Sequence, residues 1–449
     1  MHWLASLLLC AHVSTYVCRR VHLKVSGFIP VHNSRLWKRK RINVKNNFCT
    51  DKSCKKKTLP HYVGKEIIIG TRDSPLAIKQ SEKVQTKLEA YFKKVNKNVK
   101  VILRPMKTMG DNLLDKKVDL FGGKGIFTKE LDEQLVKKNV HICVHSLKDV
   151  PMELPEQVQL SCFLKRDTIN DAFLSVKYAT LEDMNKLKTA NKVEEESYQA
   201  KGASQKMTNQ DVKRDNYEGD HYGNFIPTIG TSSLRRSSQI KYIYKNVTVK
   251  NVRGNINTRI AKLCNGHYDA IIIAKCGLER LATKKAIRNI IGRKNKVPPQ
   301  KFLINHNNTE INLSLLHIQQ INRKTIYPAL CQGIIAVSSH KNDADISDIL
   351  KNINDEKAQI MANVERGFLY QIEGNCMMPI GGYAEIVNGE IVFNAVINDI
   401  HGREKYYVRE AGTVQNCNQI AVIAAKKMKE KIGTHRFNEI REEAAQYYT

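Results

Sequence analysis

Cys376 stands in the run EGNCMMPIGGY, Glu373 to Tyr383, between Gly374 and a Pro379-Ile380-Gly381-Gly382 turn. That context projects a thiol from a loop instead of packing it in a regular element. A thiol is the best soft nucleophile a chain offers an electrophilic methylene, although from the residues alone a free buried cysteine is an equal reading. The second chemical candidate is Asp149, in the run HSLKDVP that follows an expected strand over 140–144 and ends in Pro151. A carboxyl in a cleft crowded by Lys148 and arginines can hydrogen-bond the N–H groups of a ligand, stabilise a cation and shuttle a proton. An aspartate closing a turn before proline is the alternative. Eleven cysteines without a CxxC pair argue against a zinc site and a disulfide framework. Cys143, Cys162, Cys264, Cys276 and Cys331 lie in or beside apolar runs and read as small buried thiols.

The remaining chemistry is anion binding at the starts of helices. An apolar strand, Glu66 to Gly70, runs into a helix with Ser74 at the N-cap and Pro75 at the first helical position. Leu76, Ile78, Val84, Leu88 and Phe92 give that helix partial apolar periodicity, and Arg72 stands beside its opening. Backbone N–H groups, the helix dipole and a guanidinium together make a carboxylate site. The construction recurs where Ile229 ends a strand and Gly230, Thr231, Ser232 and Ser233 lead into a helix carrying Arg235 and Arg236. A strand over 247–252, the turn Arg253-Gly254-Asn255, a helix over 256–264 with Arg259, and a strand over 269–274 complete the series. Alternating helices and continuously apolar strands predict parallel α/β sheet buried on both faces, with binding groups at strand ends. Stations at separate strand–helix junctions imply a ligand with several carboxylates. A lone arginine would read as a surface ion pair worth under about 1 kcal/mol.

Length and composition frame these elements. With 449 residues, 42% of them hydrophobic, the chain has enough for two or three cored domains. The net charge of +29 invites a nucleic-acid reading, yet the basic residues are spread along the chain without an aromatic-interleaved stripe or zinc-finger spacing. Residues 1–57 hold 13 Lys and Arg against the single Asp51, so +12 of the charge belongs to a leader and +17 to the rest. The leader joins an uncharged apolar stretch, Met1 to Cys18, to a basic, acid-poor segment. Signal peptide followed by transit peptide resembles the bipartite leader of proteins sent to a secondary plastid of the apicoplast type, with a mitochondrial or cytoplasmic location as the alternative. No later segment is apolar for long enough to cross a membrane. The stretch 188–224 is polar and poor in large aliphatics and reads as a disordered insertion, while an insertion over 292–324 is richer in apolar residues such as Phe302, Ile304, Leu313 and Leu316.

RDSPLA, HSLKDVP, GTSSLRR, RGNINTR and EGNCMMPIGGY together resemble the porphobilinogen deaminase (hydroxymethylbilane synthase) family over residues 64 to about 445. The resemblance implies two periplasmic-binding-protein-like (type II) α/β domains joined by hinges, over 61–165 with 333–355 and over 166–332. It also implies a smaller α+β C-terminal domain over 356–449. It makes Cys376 the thioether anchor of a dipyrromethane cofactor and Asp149 the catalytic carboxylate. Lys148, Ser146, Thr231, Ser233, Arg235, Arg236 and Arg253 would bind the cofactor, and Arg72, Ser74, Arg259 and Gln332 the substrate. Lys124 and Lys129 would belong to a mobile loop over the site, with motion of loop and hinges serving successive rounds. The implied partner is porphobilinogen. A monomer is expected, with no metal, nucleic acid or membrane. Asn375 departs from the family's usual small residue before the cysteine. A non-catalytic two-lobed binding protein for a polycarboxylate is the alternative from another class.

Overall fold

The computed structural model describes residues 64–109, 127–186, 226–282, 287, 291, 303–306, 309–374 and 378–448. Cys376, Lys124, the leader over 1–57 and the insertion over 188–224 therefore lie outside the described residues.

The first lobe is a sheet of β1 (Glu66–Arg72), β2 (Lys100–Met106), β3 (Ile142–Ser146), β4 (Val158–Phe163) and the late strand β12 (Ile335–His340), in the order β2-β1-β3-β12-β4. The first three are parallel, and β12 runs antiparallel to both β3 and β4. Helix α1 (Pro75–Lys94) begins as its sequence dictates: Pro75 takes the first turn and the Ser74 hydroxyl accepts from the Ala77 N–H at 3.4 Å. Its Val84, Leu88 and Phe92 pack on Ile67, Ile69, Val144 and Val337. On the opposite face, Leu131 and Leu135 of α2 (Lys129–Val136) meet Val140, Cys143 and Val158. Burial on both faces is why these strands read as continuous apolar runs.

The second lobe repeats the plan with β5 (Asp171–Ser175), β6 (Thr228–Gly230), β7 (Thr248–Lys250), β8 (Ala270–Ala274) and β11 (His317–Gln320), in the order β11-β5-β8-β6-β7. Read from β7, the order is second, first, third, then the strand arriving from the other lobe, then an edge, the same permutation as in the first sheet. Its helices are α3 (Leu181–Asn185), α4 (Leu234–Ile243), α5 (Ile256–Cys264) and α6 (Lys275–Ala282). Each sheet joins three parallel strands to the strand that enters from a crossing, β12 in the first lobe and β5 in the second, and to one edge strand. This is the two-lobed periplasmic-binding-protein-like architecture. The strands read from the apolar runs over 228–274 are parallel as expected, β6 pairing with β7 and β8, while β5, β11, β12 and β4 enter antiparallel pairings that burial alone does not encode. Part of the stretch read as a second insertion builds the lobe itself. Strands β9 (Leu303–His306) and β10 (Thr309–Asn312) pair as a hairpin, Ile304, Leu313, Leu316 and Ile318 join the core, and β11 forms the sheet edge.

Two connections, over 164–170 and 321–334, cross between the lobes side by side, with Leu164 N–H bonding Ile335 O at 2.9 Å and Asp167 N–H bonding Gly333 O at 3.0 Å. The approach is so close that a Cβ on Gly333 would fall 2.8 Å from the Asp167 carbonyl oxygen, and Gly333 has φ +90°, so glycine is required there. After α7 (Ala344–Lys351), the C-terminal unit packs α8 (Glu356–Gln371) and α9 (Cys417–Ile432) on an antiparallel sheet of β13 (Ile380–Val387), β14 (Glu390–Asn398) and β15 (Lys405–Thr413), followed by α10 (Thr434–Tyr448). Cys376 belongs to the short link between α8 and β13, whose described ends are anchored. Gly374 N–H bonds Leu369 O at 2.9 Å, and Gly382 N–H bonds Pro328 O of the second connection at 2.8 Å.

Candidate active site

The stations named from sequence stand at the ends of strands, as a ligand crevice in open α/β sheets requires. Arg72 ends β1, with its guanidinium carbon 4.2 Å from the centre of the Phe127 ring. Phe127 and Lys129 follow the segment 110–126, whose described flanks are tied together, Met109 N–H bonding Glu130 Oε1 at 2.8 Å. Lys129 is exposed at the start of α2. Ser146 ends β3 and accepts from Gln80 Nε2 of α1 at 2.7 Å. Lys148 and Asp149 follow in a single 3-10 turn. Thr231 and Ser233 lead into α4, the Thr231 hydroxyl accepting from the Ser233 N–H at 3.3 Å. Arg253 precedes α5, and Arg259 inside that helix donates Nε–H to Gly254 O at 2.8 Å.

Electrostatics draw part of this set into one cluster. Lys148 is shifted down by burial, with Asp149 and Asp171 pulling it back up and Arg236 opposing them. Arg259 is pushed down to about 10 by burial and by Arg236, with Asp149 acting the other way. Asp149 is therefore near enough to act on the charges of both Lys148 beside it and Arg259 of the second lobe. It is exposed, and among the described residues its carboxylate has no hydrogen bond or ion pair. An acid held next to cations with its oxygens free is placed to accept N–H groups and protons from a ligand.

Arg235 and Arg236 differ from exposed anion binders. Both are buried, and each gives one arm to Asp171, Arg235 Nη1 at 2.9 Å and Arg236 Nη2 at 2.8 Å. Arg235 also donates to Tyr327 O at 2.6 Å and Arg236 to Ile272 O at 3.1 Å. Gln332 is fully buried, its Nε2 donating to Asp171 Oδ1 at 2.9 Å while its Oε1 accepts from Lys148 Nζ at 3.3 Å. Burial alone would raise the Asp171 carboxyl, but the two arginines overcome it and hold it well below the usual carboxylate range. Sequence reasoning missed Asp171. Its only local signal is an acid opening the apolar run AFL, which resembles an ordinary strand start.

His145 lies buried behind Arg72, its Nε2 2.9 Å from Ser338 Oγ, and burial followed by the Arg72 charge lowers its pKa to about 4. A folded pKa below the unfolded value of about 6.5 means stability that is whole above that pH and lost as pH falls toward 4, on the order of 3 kcal/mol. Asp132, raised to about 6 by burial, gains stability as pH falls over nearly the same window. The difference between His145→Gln and the parent isolates the histidine. Urea midpoints from pH 7 to 4 are expected to fall less steeply in the variant, and parallel slopes would remove His145 as the cause.

The fold and cluster define a two-lobed α/β enzyme with a cation-lined crevice, in which the Asp149 carboxylate makes no hydrogen bond or ion pair among the described residues. The family models for "Porphobilinogen deaminase, dipyromethane cofactor binding domain" and "Porphobilinogen deaminase, C-terminal domain" match residues 67–219 with 212–348 and residues 359–430. The chain belongs to the porphobilinogen deaminase family. It is 31% identical over 364 residues to a porphobilinogen deaminase of Nitratiruptor, covering 81% of this chain and 93% of the relative. It is 34% identical over 339 residues to one of Campylobacter jejuni, covering 76% and 87%. A periplasmic binding protein of Salmonella typhimurium, solved for its arginine specificity, aligns with TM-score 0.31 and 11% identity over 66% of this chain and 94% of that one. At that score the match adds nothing to the topology above.

The described residues fit the family's dipyrromethane cofactor. Lys148, Arg235, Arg236 and Arg259 exceed the charge of Asp149 and Asp171, and the buried Nε atoms of Arg235 and Arg236 have no hydrogen-bond partner among the described residues. Those donors suit the acidic side arms of a pyrrole ligand.

Proposed function

We propose that this chain condenses four porphobilinogen molecules head to tail, with loss of ammonia at each step, and releases hydroxymethylbilane by hydrolysis. The observation that carries the reading is Asp149, a carboxylate that makes no hydrogen bond or ion pair among the described residues and acts on the charges of Lys148 and Arg259. Cys376 would hold the dipyrromethane by a thioether. When bound, that group supplies the free pyrrole α-position at which growth begins.

The chain's residues supply the rest. Asp149 accepts the pyrrole N–H of the incoming substrate, stabilises the positive charge left as ammonia departs, and takes up the proton lost from the α-carbon when the new carbon–carbon bond closes. Lys148, Arg259, Arg235 and Arg236 orient acetate and propionate arms, which makes the condensation effectively intramolecular. Arg72, Ser74, Ser146, Thr231, Ser233 and Arg253 would complete the binding surface, the buried Gln332 would support it through Lys148, and Lys124 and Lys129 would belong to a loop over the site. The basic leader supports delivery to a plastid of the apicoplast type. A fluorescent fusion of residues 1–57 reaching mitochondria or cytoplasm instead would refute that location.

Intact mass of protein lacking residues 1–57 tests the activity. The expected result is an increment of two pyrrole units that survives denaturation and is absent in Cys376→Ala, with further single-pyrrole steps after porphobilinogen is added. A folded parent protein given substrate and showing no adduct would leave the non-catalytic binding protein as the better reading.

A further inference from the structure

We propose that Asp171 is a positioning residue for this reaction, the hub through which Lys148 of the first lobe and Arg235 and Arg236 of the second are held in one arrangement across the cleft, with the Gln332 amide as the link. The inference rests on the deaminase reading above and adds a residue that the sequence motifs did not assign.

The geometry leaves Asp171 little other role. It has 0% exposure, so it does not meet a ligand in solvent. Its Oδ1 accepts from Arg236 Nη2 at 2.8 Å and Gln332 Nε2 at 2.9 Å, and its Oδ2 accepts from Arg235 Nη1 at 2.9 Å. The carboxylate also decides which way the Gln332 amide faces. Nε2 must point to Asp171 Oδ1 and to Ile169 O, at 2.7 Å, so Oε1 is left toward Lys148 Nζ at 3.3 Å. Lys148 immediately precedes Asp149 in the same 3-10 turn, so a hub on β5 reaches the backbone that carries the free carboxylate. Gln332 lies on the 321–334 connection and Ile169 on the 164–170 connection, which places the hub at the crossing between the lobes. Without the Asp171 charge, two buried guanidiniums would face each other and the amide would lose the acceptor that orients it.

Three variants test the hub through the protonation of Lys148. The groups facing that ammonium are Asp149 on its own turn, Asp171 on β5, Arg236 on α4, Cys276 on α6 and the Gln332 amide. Asp171→Asn removes a negative charge that favours the ammonium, so the alkaline limb of the kcat/KM profile should move to lower pH, with kcat/KM reduced on the order of 10²-fold. Gln332→Glu adds a negative charge beside Lys148 and should move the same limb to higher pH. The exchange variant carrying both substitutions returns one carboxylate and one amide to the pair, and is expected to recover at least about tenfold of the loss with the limb back toward the parent.

Porphobilinogen consumption is measured from pH 6 to 10 on protein lacking residues 1–57, with circular dichroism and the thermal midpoint recorded for each variant. A folded Asp171→Asn protein with the parent's limb overturns the proposal, as does an exchange variant no better than Asp171→Asn. Should Asp171→Asn fail to fold, the sign of the Gln332→Glu shift decides, upward in favour and unchanged or downward against. A parent protein that does not consume porphobilinogen defeats the functional reading itself, which is a different result from an active parent whose variants miss the pattern.

Discussion

Asp149→Asn is expected to lower kcat by about 10²–10⁴-fold while leaving KM and the thermal midpoint close to the parent's. The fold does not depend on this carboxylate: Asp149 is exposed and, among the described residues, neither hydrogen-bonds nor ion-pairs, so its loss should change stability by no more than about 0.5 kcal/mol. Substrate affinity should not suffer either. Amidation removes a negative charge from beside Lys148 and Arg259, leaving the cleft more attractive to carboxylates. What the amide cannot do is take a proton or balance the charge left when ammonia departs, so the damage falls on kcat. Initial rates with porphobilinogen over a range of concentrations separate the two parameters. A kcat within twofold of the parent would remove Asp149 from the chemistry, and a rise in KM alone would make it a binding group.

Glu365→Gln should have the largest effect on stability, on the order of 3–5 kcal/mol. Glu365, on α8, is fully buried and accepts four donors: Arg166 Nη1 and Ala384 N–H at Oε1, and Arg166 Nη2 and Cys331 N–H at Oε2. Arg166 further donates Nε–H to Gln332 O at 2.9 Å. One carboxylate thus joins both inter-lobe connections to α8 and β13, the two elements that bracket the Cys376 link. A glutamine of the same shape must turn its amide N–H groups toward donors that need an acceptor, and it leaves the Arg166 charge buried without a counter-ion. Urea unfolding followed by circular dichroism should show a midpoint well below the parent's. An unchanged midpoint would mean that the pair is not coupled to the cooperative unit that unfolds.

The elements that carry the candidate residues were legible in the sequence because their signals are local. Ser74 before Pro75 specifies a capped helix start within a few residues, and the helix expected over 256–264 is found as Ile256–Cys264, opened by the Asn255 side chain accepting from the Thr258 N–H at 2.9 Å. A short strand followed by small hydroxyl residues and a helix places Thr231, Ser233 and the arginine pair at a strand end without knowledge of the rest of the chain. The C-terminal ends of strands gather such groups, so a polycarboxylate cleft follows from composition at those junctions.

Tertiary structure decided which charges are spent inside the protein and which remain for a ligand. Arg235 reaches Asp171 across 64 residues and Arg166 reaches Glu365 across 199, and no spacing rule connects either pair. The antiparallel returns of β5 and β12 were equally hidden, since a strand buried on both faces shows the same apolar run whichever way it points. Local sequence is enough to set the strand–turn–helix junctions that carry the candidate residues and the alternation of strand and helix, because each depends on backbone geometry within a few residues. The crossing of the chain between lobes leaves Asp149 without a hydrogen bond or ion pair among the described residues while Asp171 is paired with two arginines, because the environment of a carboxylate is set by whatever distant charges the fold packs against it.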